Sequence, residues 1–310
     1  MNDLAGMGPL TLSISATERD TGLSKDTLRV WERRYGFPTP ARDAVGERAY
    51  PLEQVEKLRV VKRLLDAGHR PGRIVPLALP QLQHLAEQTV DQPLRQVRDA
   101  LGSDDLRSYL DLIRSHDASA LRMALMRLLS RLGVSRFVHE VVSPMNMAVG
   151  DAWMRGRMEV FEEHLYTEVM QSVLRQVLAG IPVPAGSGRP RILLTTLPGE
   201  QHGLGLLMAE AVLALEGCRC TSLGVQTPPW DVVRAAAALD CDIVALSFTG
   251  CMNPNQVVDS LTELRAKLPP ALRLWAGGSA PVLHRRLIPG VQPMATLGEV
   301  QAALASWEAG

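Results

Sequence analysis

Glu200 and His202 stand two residues apart in a short polar run that follows the apolar segment 191–197. A neutral imidazole can ligate a metal through one ring nitrogen. A nearby carboxylate can accept a hydrogen bond from the other nitrogen, which fixes the tautomer and raises the basicity. Gly205 follows three residues later and would let a bulky ligand approach the start of a helix. The pattern therefore suits a metal-ligating histidine with a carboxylate partner.

The surrounding sequence predicts the element that would position this pair. From Arg191 onward, short apolar runs alternate with helical stretches, which is typical of a parallel sheet covered on both faces by helices. We expect helices to begin near Gly203, Trp230, Pro254, Ala280 and Glu299. Open sheets of this kind bind ligands at the carboxyl ends of their strands. Small or polar residues follow several predicted strands there, namely Gly224, Thr227, Ser247, Thr249, Gly277 and Gly278.

Together these motifs resemble the cobalamin-binding domain in which the cofactor is bound base-off, and the resemblance covers about residues 190–310. It implies that His202 is the lower axial ligand of cobalt and Glu200 its hydrogen-bond partner. It also implies that the slot for the nucleotide tail is lined by Ser247, Thr249, Gly277 and Gly278, with Gly205 and Gly224 close to the cofactor. Family members often carry Asp at position 200 and Leu at position 249. A sheet that has lost the cofactor is the alternative.

The helical stretch before this block contains Trp153, followed after nine residues by Glu163 and His164. The spacing resembles the signature of the four-helix cap in adenosylcobalamin-dependent photoreceptor regulators. That resemblance implies that Trp153, Val160, Glu163 and His164 surround the adenosyl group. A buried tryptophan with an unrelated surface Glu-His pair is the alternative.

Near the N-terminus, Lys25, Arg29 and Arg33 recur every four residues and so share one face of a predicted helix. Ser24 is a good N-cap for this helix. An apolar face carries Leu28, Trp31 and Tyr35. A helix that buries one side and offers cations from another suits the major groove of DNA. An ordinary amphipathic helix with a solvated basic side remains the alternative.

The runs 21–36 and 46–50 resemble the winged helix-turn-helix of the MerR family, with a match of about 65 residues. The resemblance implies that Arg29, Arg33 and Arg34 serve the recognition helix. It places three other residues, Arg42, Arg48 and Tyr50, in a wing that touches phosphate. We expect a DNA-binding set of Lys25, Thr27, Arg29, Arg33, Arg34, Tyr35, Arg42, Arg48 and Tyr50.

Composition restricts the remaining possibilities. The chain has 33 Lys or Arg and 33 Asp or Glu, but residues 1–76 hold 13 of the former against 10 of the latter, which favours a DNA-contacting N-terminus. The four cysteines form no CxxC pair, as expected in a reducing cytosol. The sequence shows no signal peptide, and no apolar run approaches the ~18 residues of a membrane helix. We therefore predict a cytoplasmic protein without a membrane partner.

These observations predict a multidomain regulator rather than an enzyme. Its parts would be a winged helix-turn-helix at 1–78, a four-helix bundle at 92–182 and a doubly wound, flavodoxin-like α/β domain at 189–310. Because Pro71, Pro76 and Pro80 interrupt any long dimerisation helix, we expect homo-oligomerisation, as dimer or tetramer, through the later domains. The architecture resembles MerR-type light sensors that repress genes by binding operator DNA with adenosylcobalamin and release it after Co–C photolysis.

Three alternatives stay open. The chain could sense cobalamin without responding to light, could have lost cobalamin, or could resemble the corrinoid carriers of methyltransferase systems, although the DNA-binding head argues against the last. Some light-sensing relatives carry a histidine directly after the signature tryptophan, which ligates cobalt after photolysis. Met154 occupies that position here, and a thioether matches Co(III) poorly. We therefore predict no bis-histidine product after illumination.

Overall fold

This computed structural model describes residues 11–43, 45–66, 69–89, 103–154, 157–182, 190–250 and 252–308. The chain divides into two compact units. One unit comprises Met1–Arg95 together with Val149–Glu159, and the other comprises Gln96–Ala148 together with Val160–Gly310.

The first unit contains a small antiparallel sheet and a set of short helices. In chain order its elements are β1 (Thr11–Ser13), α1 (Ile14–Thr21), α2 (Lys25–Tyr35), β2 (Ala41–Arg42), β3 (Arg48–Pro51), α3 (Leu52–Asp66), α4 (Pro71–Ile74) and α5 (Leu79–Thr89). The sheet order is β1-β3-β2, with Leu12 opposite Tyr50 and Arg42 opposite Arg48. This arrangement is the predicted winged helix-turn-helix.

Local sequence explains the turn between α1 and α2. Gly22 ends α1 in the left-handed region at φ 68°, which glycine adopts without steric penalty. Ser24 then caps α2 as predicted, since its side chain accepts a hydrogen bond from the Thr27 backbone N–H at 3.1 Å. The apolar face of α2 buries Leu28 and Trp31 in a core shared with α3 and β3.

Prolines set the ends of the helices that follow. Helix α3 ends at Asp66, and Pro71 occupies the first turn of α4, where its missing N–H costs nothing. The predicted absence of one long helix in this region is confirmed over the described residues, because α3, α4 and α5 are separate elements.

The helical part of the chain forms the predicted four-helix bundle. Its elements are α6 (Ser103–Arg114), α7 (Ala118–Leu132), α8 (Val134–Phe137), a π-helical turn (Val138–Val142), α9 (Ser143–Met154) and α10 (Val160–Gly180). The stretch from α8 through α9 counts as one of the four helices. Apolar residues fill the interior, and the Tyr166 hydroxyl donates to Asn146 Oδ1 within it. The boundary between the two units falls inside α9.

The last part of the second unit is a five-stranded parallel sheet. Its strands are β4 (Arg191–Thr195), β5 (Arg219–Ser222), β6 (Ile243–Ser247), β7 (Arg273–Gly277) and β8 (Val291–Met294). Its helices are α11 (Leu204–Leu215), α12 (Pro229–Ala238), α13 (Pro254–Lys267), α14 (Val282–Arg285) and α15 (Leu297–Glu308). The order β5-β4-β6-β7-β8 is the flavodoxin-like order, and it confirms the predicted doubly wound fold.

Both faces of this sheet are apolar, as a parallel sheet covered by helices requires. Leu193, Val244 and Leu246 pack in one core cluster with residues of α12 and α13. Ile192, Leu194 and Trp275 pack in another with residues of α11 and α15. The loops at the carboxyl edge are thereby held on a rigid base.

Among the described residues, no helix is both long and apolar enough to cross a lipid bilayer.

Candidate functional site

Glu200 and His202 lie in the loop between β4 and α11, at the carboxyl edge of the sheet. Nδ1 of His202 lies 2.6 Å from Oε1 of Glu200, and the same oxygen accepts the backbone N–H of His202 at 3.0 Å. The Glu200 side chain is fully buried, whereas 51% of the His202 side chain is exposed. The buried carboxylate thus holds the imidazole through Nδ1, while the other part of the ring faces solvent.

The second oxygen of Glu200 is held by Thr249, in the loop after β6. Oε2 accepts the Thr249 backbone N–H at 2.6 Å and the Thr249 hydroxyl at 2.8 Å. Burial alone would raise the pKa of Glu200, but the hydrogen bonds from His202 and Thr249 outweigh it and lower the pKa below its ordinary value. A buried carboxylate with four hydrogen bonds stays ionised and immobile.

The hydrogen bond that His202 shares with Glu200 raises the pKa of the imidazole above its ordinary value, against the opposing effect of burial. The charge of Glu163, on α10, adds to the increase. With Nδ1–H directed at the carboxylate, the neutral ring carries its lone pair on Nε2. No described residue hydrogen-bonds to Nε2, so this nitrogen is available to a metal.

Gly205, Ser247, Gly277 and Gly278 meet beside this pair at the sheet edge. A Cβ on Gly205 would lie 2.7 Å from the Ser247 hydroxyl oxygen, so only glycine fits without displacement. Gly278 has a φ of 108°, and a Cβ there would overlap the Phe248 carbonyl oxygen. The structure thus brings these predicted slot residues into one narrow region.

Gly224 belongs to the neighbouring loop, after β5, and that loop is tied to the end of β4. Thr195 donates its hydroxyl to the Gly224 carbonyl at 2.9 Å, and Thr196 accepts the Gln226 backbone N–H at 2.8 Å. Thr196 also donates to the Glu200 carbonyl at 2.7 Å. Sequence reasoning missed both threonines, although two polar residues at the end of an apolar strand were a usable signal.

The predicted cap residues fall in both units. Val160, Glu163 and His164 open α10, where Glu163 accepts hydrogen bonds from His164 Nδ1 at 2.8 Å and from the Thr167 hydroxyl at 2.7 Å. Trp153 instead belongs to the first unit, where the Arg63 guanidinium carbon lies 4.1 Å from the centre of its ring. The Met154 side chain lies outside the described part of the chain.

The basic face of α2 is open to solvent. Arg29, Arg33 and Arg34 are exposed, with Arg29 paired to Asp26 at 3.3 Å and Arg34 stacked on Tyr35 at 5.4 Å. Lys25 lies 3.7 Å from Glu18. The remaining two predicted residues have local structural contacts, since the Thr27 hydroxyl meets Ser24 at 2.9 Å and half-buried Tyr35 packs against the core.

The wing is linked to α2 by an ion pair. Arg42 donates to the Gly46 carbonyl at 2.9 Å across the turn of the hairpin. Arg48 pairs with Glu32 of α2 at 2.9 Å, so it braces the wing against the helix that carries the exposed arginines. The hydrogen bonds and ion pair therefore fix the spacing between wing and helix.

The predicted phosphate contact of Tyr50 is wrong in this conformation. Its side chain is fully buried and its hydroxyl has no hydrogen-bond partner among the described residues. The cause is its place in β3, the central strand of the small sheet, where it packs into the core with residues of α3. A side chain without exposed surface cannot reach a phosphate.

Comparison with known proteins agrees with this geometry. Residues 12–78 match the MerR HTH family regulatory protein family, and residues 106–178 and 190–305 match two families described as B12 binding domain. The chain is 32% identical over 288 residues to the HTH-type transcriptional repressor CarH of Myxococcus xanthus, covering 90% of this chain and 92% of that protein. This chain belongs to the MerR-type regulators with cobalamin-binding domains.

A second relative of this MerR-type regulator is the HTH-type transcriptional repressor CarA of Myxococcus xanthus, 33% identical over 271 residues, with 84% of each chain covered. Both relatives are named as transcriptional repressors and neither as an enzyme, which supports the prediction of a regulator. The monomethylamine corrinoid protein of Methanosarcina barkeri has a similar fold, with a TM-score of 0.51 and 17% identity over 64% of this chain and 96% of its own.

The residues at the sheet edge of this regulator fit a cobalamin. His202 offers one neutral nitrogen donor, and among the described residues no group of three or more His, Cys, Asp or Glu could hold a bare metal ion. One protein ligand suffices where a corrin ring supplies the others. Trp275, on β7, adds a buried indole N–H without a hydrogen-bond partner among the described residues.

Proposed function

We propose that this chain is a cobalamin-dependent transcriptional repressor, acting in the cytoplasm, that binds operator DNA when assembled with adenosylcobalamin and releases it after illumination. Its domains would be 1–78 for DNA binding, 92–182 for the cap and 189–310 for the cofactor. The observation that carries the proposal is the buried Glu200 carboxylate, which holds His202 with Nε2 open at the edge of the sheet. Membership of the MerR-type regulators supports the other half of the proposal, which is DNA binding by the winged helix-turn-helix.

In this proposal the residues of the α/β domain hold and orient the cofactor. His202 would hold cobalt through Nε2, while Glu200 would keep the proton on Nδ1 and restrain the ring. Thr249 fixes Glu200 and borders the slot with Ser247, Gly277 and Gly278. Gly205 and Gly224 leave room at the start of α11 and in the neighbouring loop.

The cap would provide the response to light. Trp153, Val160, Glu163 and His164 would surround the adenosyl group and exclude water from it. Adenosylcobalamin supplies a Co–C bond that light cleaves, which is chemistry of the cofactor itself. These residues would lose their partner with the adenosyl group, and the dimers or tetramers that hold the DNA-binding heads together would then separate.

The test of cofactor binding is a titration of the purified chain with adenosylcobalamin in the dark, followed by visible absorbance. His202→Ala should abolish binding or weaken it strongly, because no other described residue replaces the lower ligand. His284→Ala is a matched control, since His284 lies on α14 and has no assigned role. Unchanged affinity in His202→Ala would refute the ligand assignment.

The test of light response is operator binding and size-exclusion chromatography before and after complete photolysis. We expect adenosylcobalamin in the dark to give an assembled, DNA-bound form, and illumination to give free DNA and smaller species. Because Met154 replaces a histidine, the illuminated protein should not show a bis-histidine spectrum.

Met154 also favours a second candidate function, a regulator that senses the presence of cobalamin and not light. An assembly that stays on DNA after complete photolysis, yet requires cobalamin to form, would establish this second function. A bis-histidine spectrum that disappears in His164→Ala or His139→Ala would show that the upper ligand has been misplaced.

A further inference from the structure

The indole ring of Trp153 stacks against a side chain of the winged helix-turn-helix. The guanidinium carbon of Arg63, on α3, lies 4.1 Å from the centre of the indole ring. Arg63 retains only 5% of its accessible surface, and burial, with a smaller effect from Arg59, lowers its pKa to about 10. A desolvated guanidinium over an indole face is the geometry in which cation–π attraction is strongest.

A second residue of α3, Arg59, also interacts with the sequence near Trp153. The negative charge of Glu159 acts on Arg59, one helical turn before Arg63. Arg59 forms a bidentate ion pair with Asp20 of α1, in which Nη2 lies 2.7 Å from Oδ1 and Nε lies 2.8 Å from Oδ2. Ala152 and Met158, also near Trp153 in the sequence, are buried. The indole is therefore attached to a firmly braced helix of the DNA-binding domain.

The Trp153 side chain is only half-buried, so a guanidinium on one face of the ring leaves surface for another partner. Under the proposed function that partner is the adenosyl group. A ring with two rotatable bonds becomes a defined wall only when something fixes its orientation. The contact with Arg63 provides that constraint from a domain that otherwise serves DNA.

We propose that Arg63 is a positioning residue for Trp153: a side chain of the DNA-binding domain orients the indole that covers the upper face of the cofactor. The inference rests on the proposed function of Trp153 and extends it to a residue outside the cap. It predicts that Arg63 affects discrimination between cobalamins with large and small upper groups.

The experiment compares adenosylcobalamin with methylcobalamin, which carries a small alkyl group at the same position. Both affinities are measured in the dark by absorbance titration of the full-length chain. Arg63→Met keeps an unbranched, flexible side chain but removes the guanidinium and its charge, and it should lower the preference for adenosylcobalamin by about 2- to 30-fold, the range of a cation–π contact. Arg63→Lys should retain most of the preference, because an ammonium also stacks on indole.

Lys57→Met is the matched control. Lys57 lies on the same helix and also stacks on an aromatic ring, but that ring belongs to Phe37, whose centre lies 3.9 Å from Nζ. Its substitution should leave the ratio of the two affinities unchanged. If the substitutions only loosened α3, Arg63→Met and Lys57→Met would both bind adenosylcobalamin and methylcobalamin more weakly. A positioning role instead changes the ratio of the two affinities, and does so only in Arg63→Met.

Trp153→Ala separates this inference from the function on which it rests. If Trp153→Ala lowers the preference, Arg63→Met should have no further effect in that background, as expected for residues that act through one contact. An unchanged ratio in Arg63→Met beside a lowered ratio in Trp153→Ala would overturn the positioning role alone. An unchanged ratio in Trp153→Ala would overturn both this inference and the assignment of the indole to the upper face.

Discussion

At the scale of single residues, Glu200 determines the chemistry of the candidate cofactor site. One of its oxygens meets the imidazole of His202 in the same loop, and the other accepts the backbone N–H and the hydroxyl of Thr249, in the loop after β6. The carboxylate therefore couples the ligand histidine to the end of a different strand. Any shift of the loop after β6 would be transmitted to His202 through a charged group that cannot relax toward water.

This coupling predicts the pH dependence of cofactor binding. Cobalt ligation requires the neutral imidazole, so affinity should fall as the pH drops through the pKa of His202. Glu200 raises that pKa, and Glu200→Gln should therefore move the acid loss of binding to lower pH while weakening binding at pH 8 by about 10- to 100-fold. Absorbance titrations at several pH values measure both effects. An acid midpoint that moves upward in Glu200→Gln would contradict this account.

Two adjacent glycines at the end of β7 give a prediction on stability. Gly278→Ala combines a positive φ with overlap on the Phe248 carbonyl, and it should destabilise the domain by about 3 kcal/mol or more. Gly277→Ala meets its nearest atom at 3.5 Å, an ordinary contact, and should cost less than about 1 kcal/mol. Thermal unfolding without cofactor compares the two. Equal melting temperatures would show that the backbone at Gly278 tolerates a side chain.

Residue types and spacing predicted the Glu200–His202 pair because both its members lie in one loop. They did not predict Thr195 and Thr196, whose partners lie about 30 residues away in the next loop. Tyr50 failed for a related reason. The sequence indicated its position in the wing, but its direction depends on which face of β3 packs against α3 in the folded domain.

At the scale of elements, α2 and the wing form one basic surface with a fixed spacing. The cap at Ser24 and the apolar stripe of Leu28 and Trp31 are local features, and the sequence predicted the helix from them. The structure adds Gly36, which ends the helix in the left-handed region. The brace between Arg48 and Glu32 joins residues 16 apart and was not predictable. It makes the wing and the helix act as a unit.

This surface predicts the effect of removing one exposed cation. Arg33→Ala should weaken operator binding and reduce the slope of log affinity against log salt by about one, as expected when one phosphate contact is lost. Cofactor uptake should stay unchanged. Arg136→Ala is a suitable control, because Arg136 is exposed in the helical bundle and paired with Glu140. A salt slope identical to that of the parent chain would indicate that Arg33 does not contact phosphate.

The prediction succeeded for elements with strong periodicity and was less accurate at their ends. Helices expected near Gly203, Pro254 and Trp230 begin at Leu204, Pro254 and Pro229. The helix expected at Glu299 begins at Leu297, because Thr296 accepts the Glu299 backbone N–H and places the cap earlier. Helix ends depend on single hydrogen bonds, whereas apolar periodicity is spread over many residues.

At the scale of the whole chain, the order of the strands along the sequence differs from their order across the parallel sheet. Strand β4 comes first among the five, yet it lies inside the sheet between β5 and β6. Ile192 pairs with Cys220 on one side and with Ile243 on the other. During synthesis, the edge of β4 that pairs with β6 therefore stays unpaired until about 50 further residues have been made.

An unpaired apolar edge of this kind promotes aggregation. A chain that stops at Asp240 should contain β4 and β5 but expose the edge that β6 normally covers, and we expect it to accumulate as insoluble material. A chain that stops after Met294 completes the sheet and lacks only the last helix, so a larger fraction should stay soluble. Expression of both, with the soluble fraction measured by centrifugation, compares them. Slower translation between residues 195 and 243 should then lower the yield of the full-length protein, since it prolongs the interval in which that edge is open.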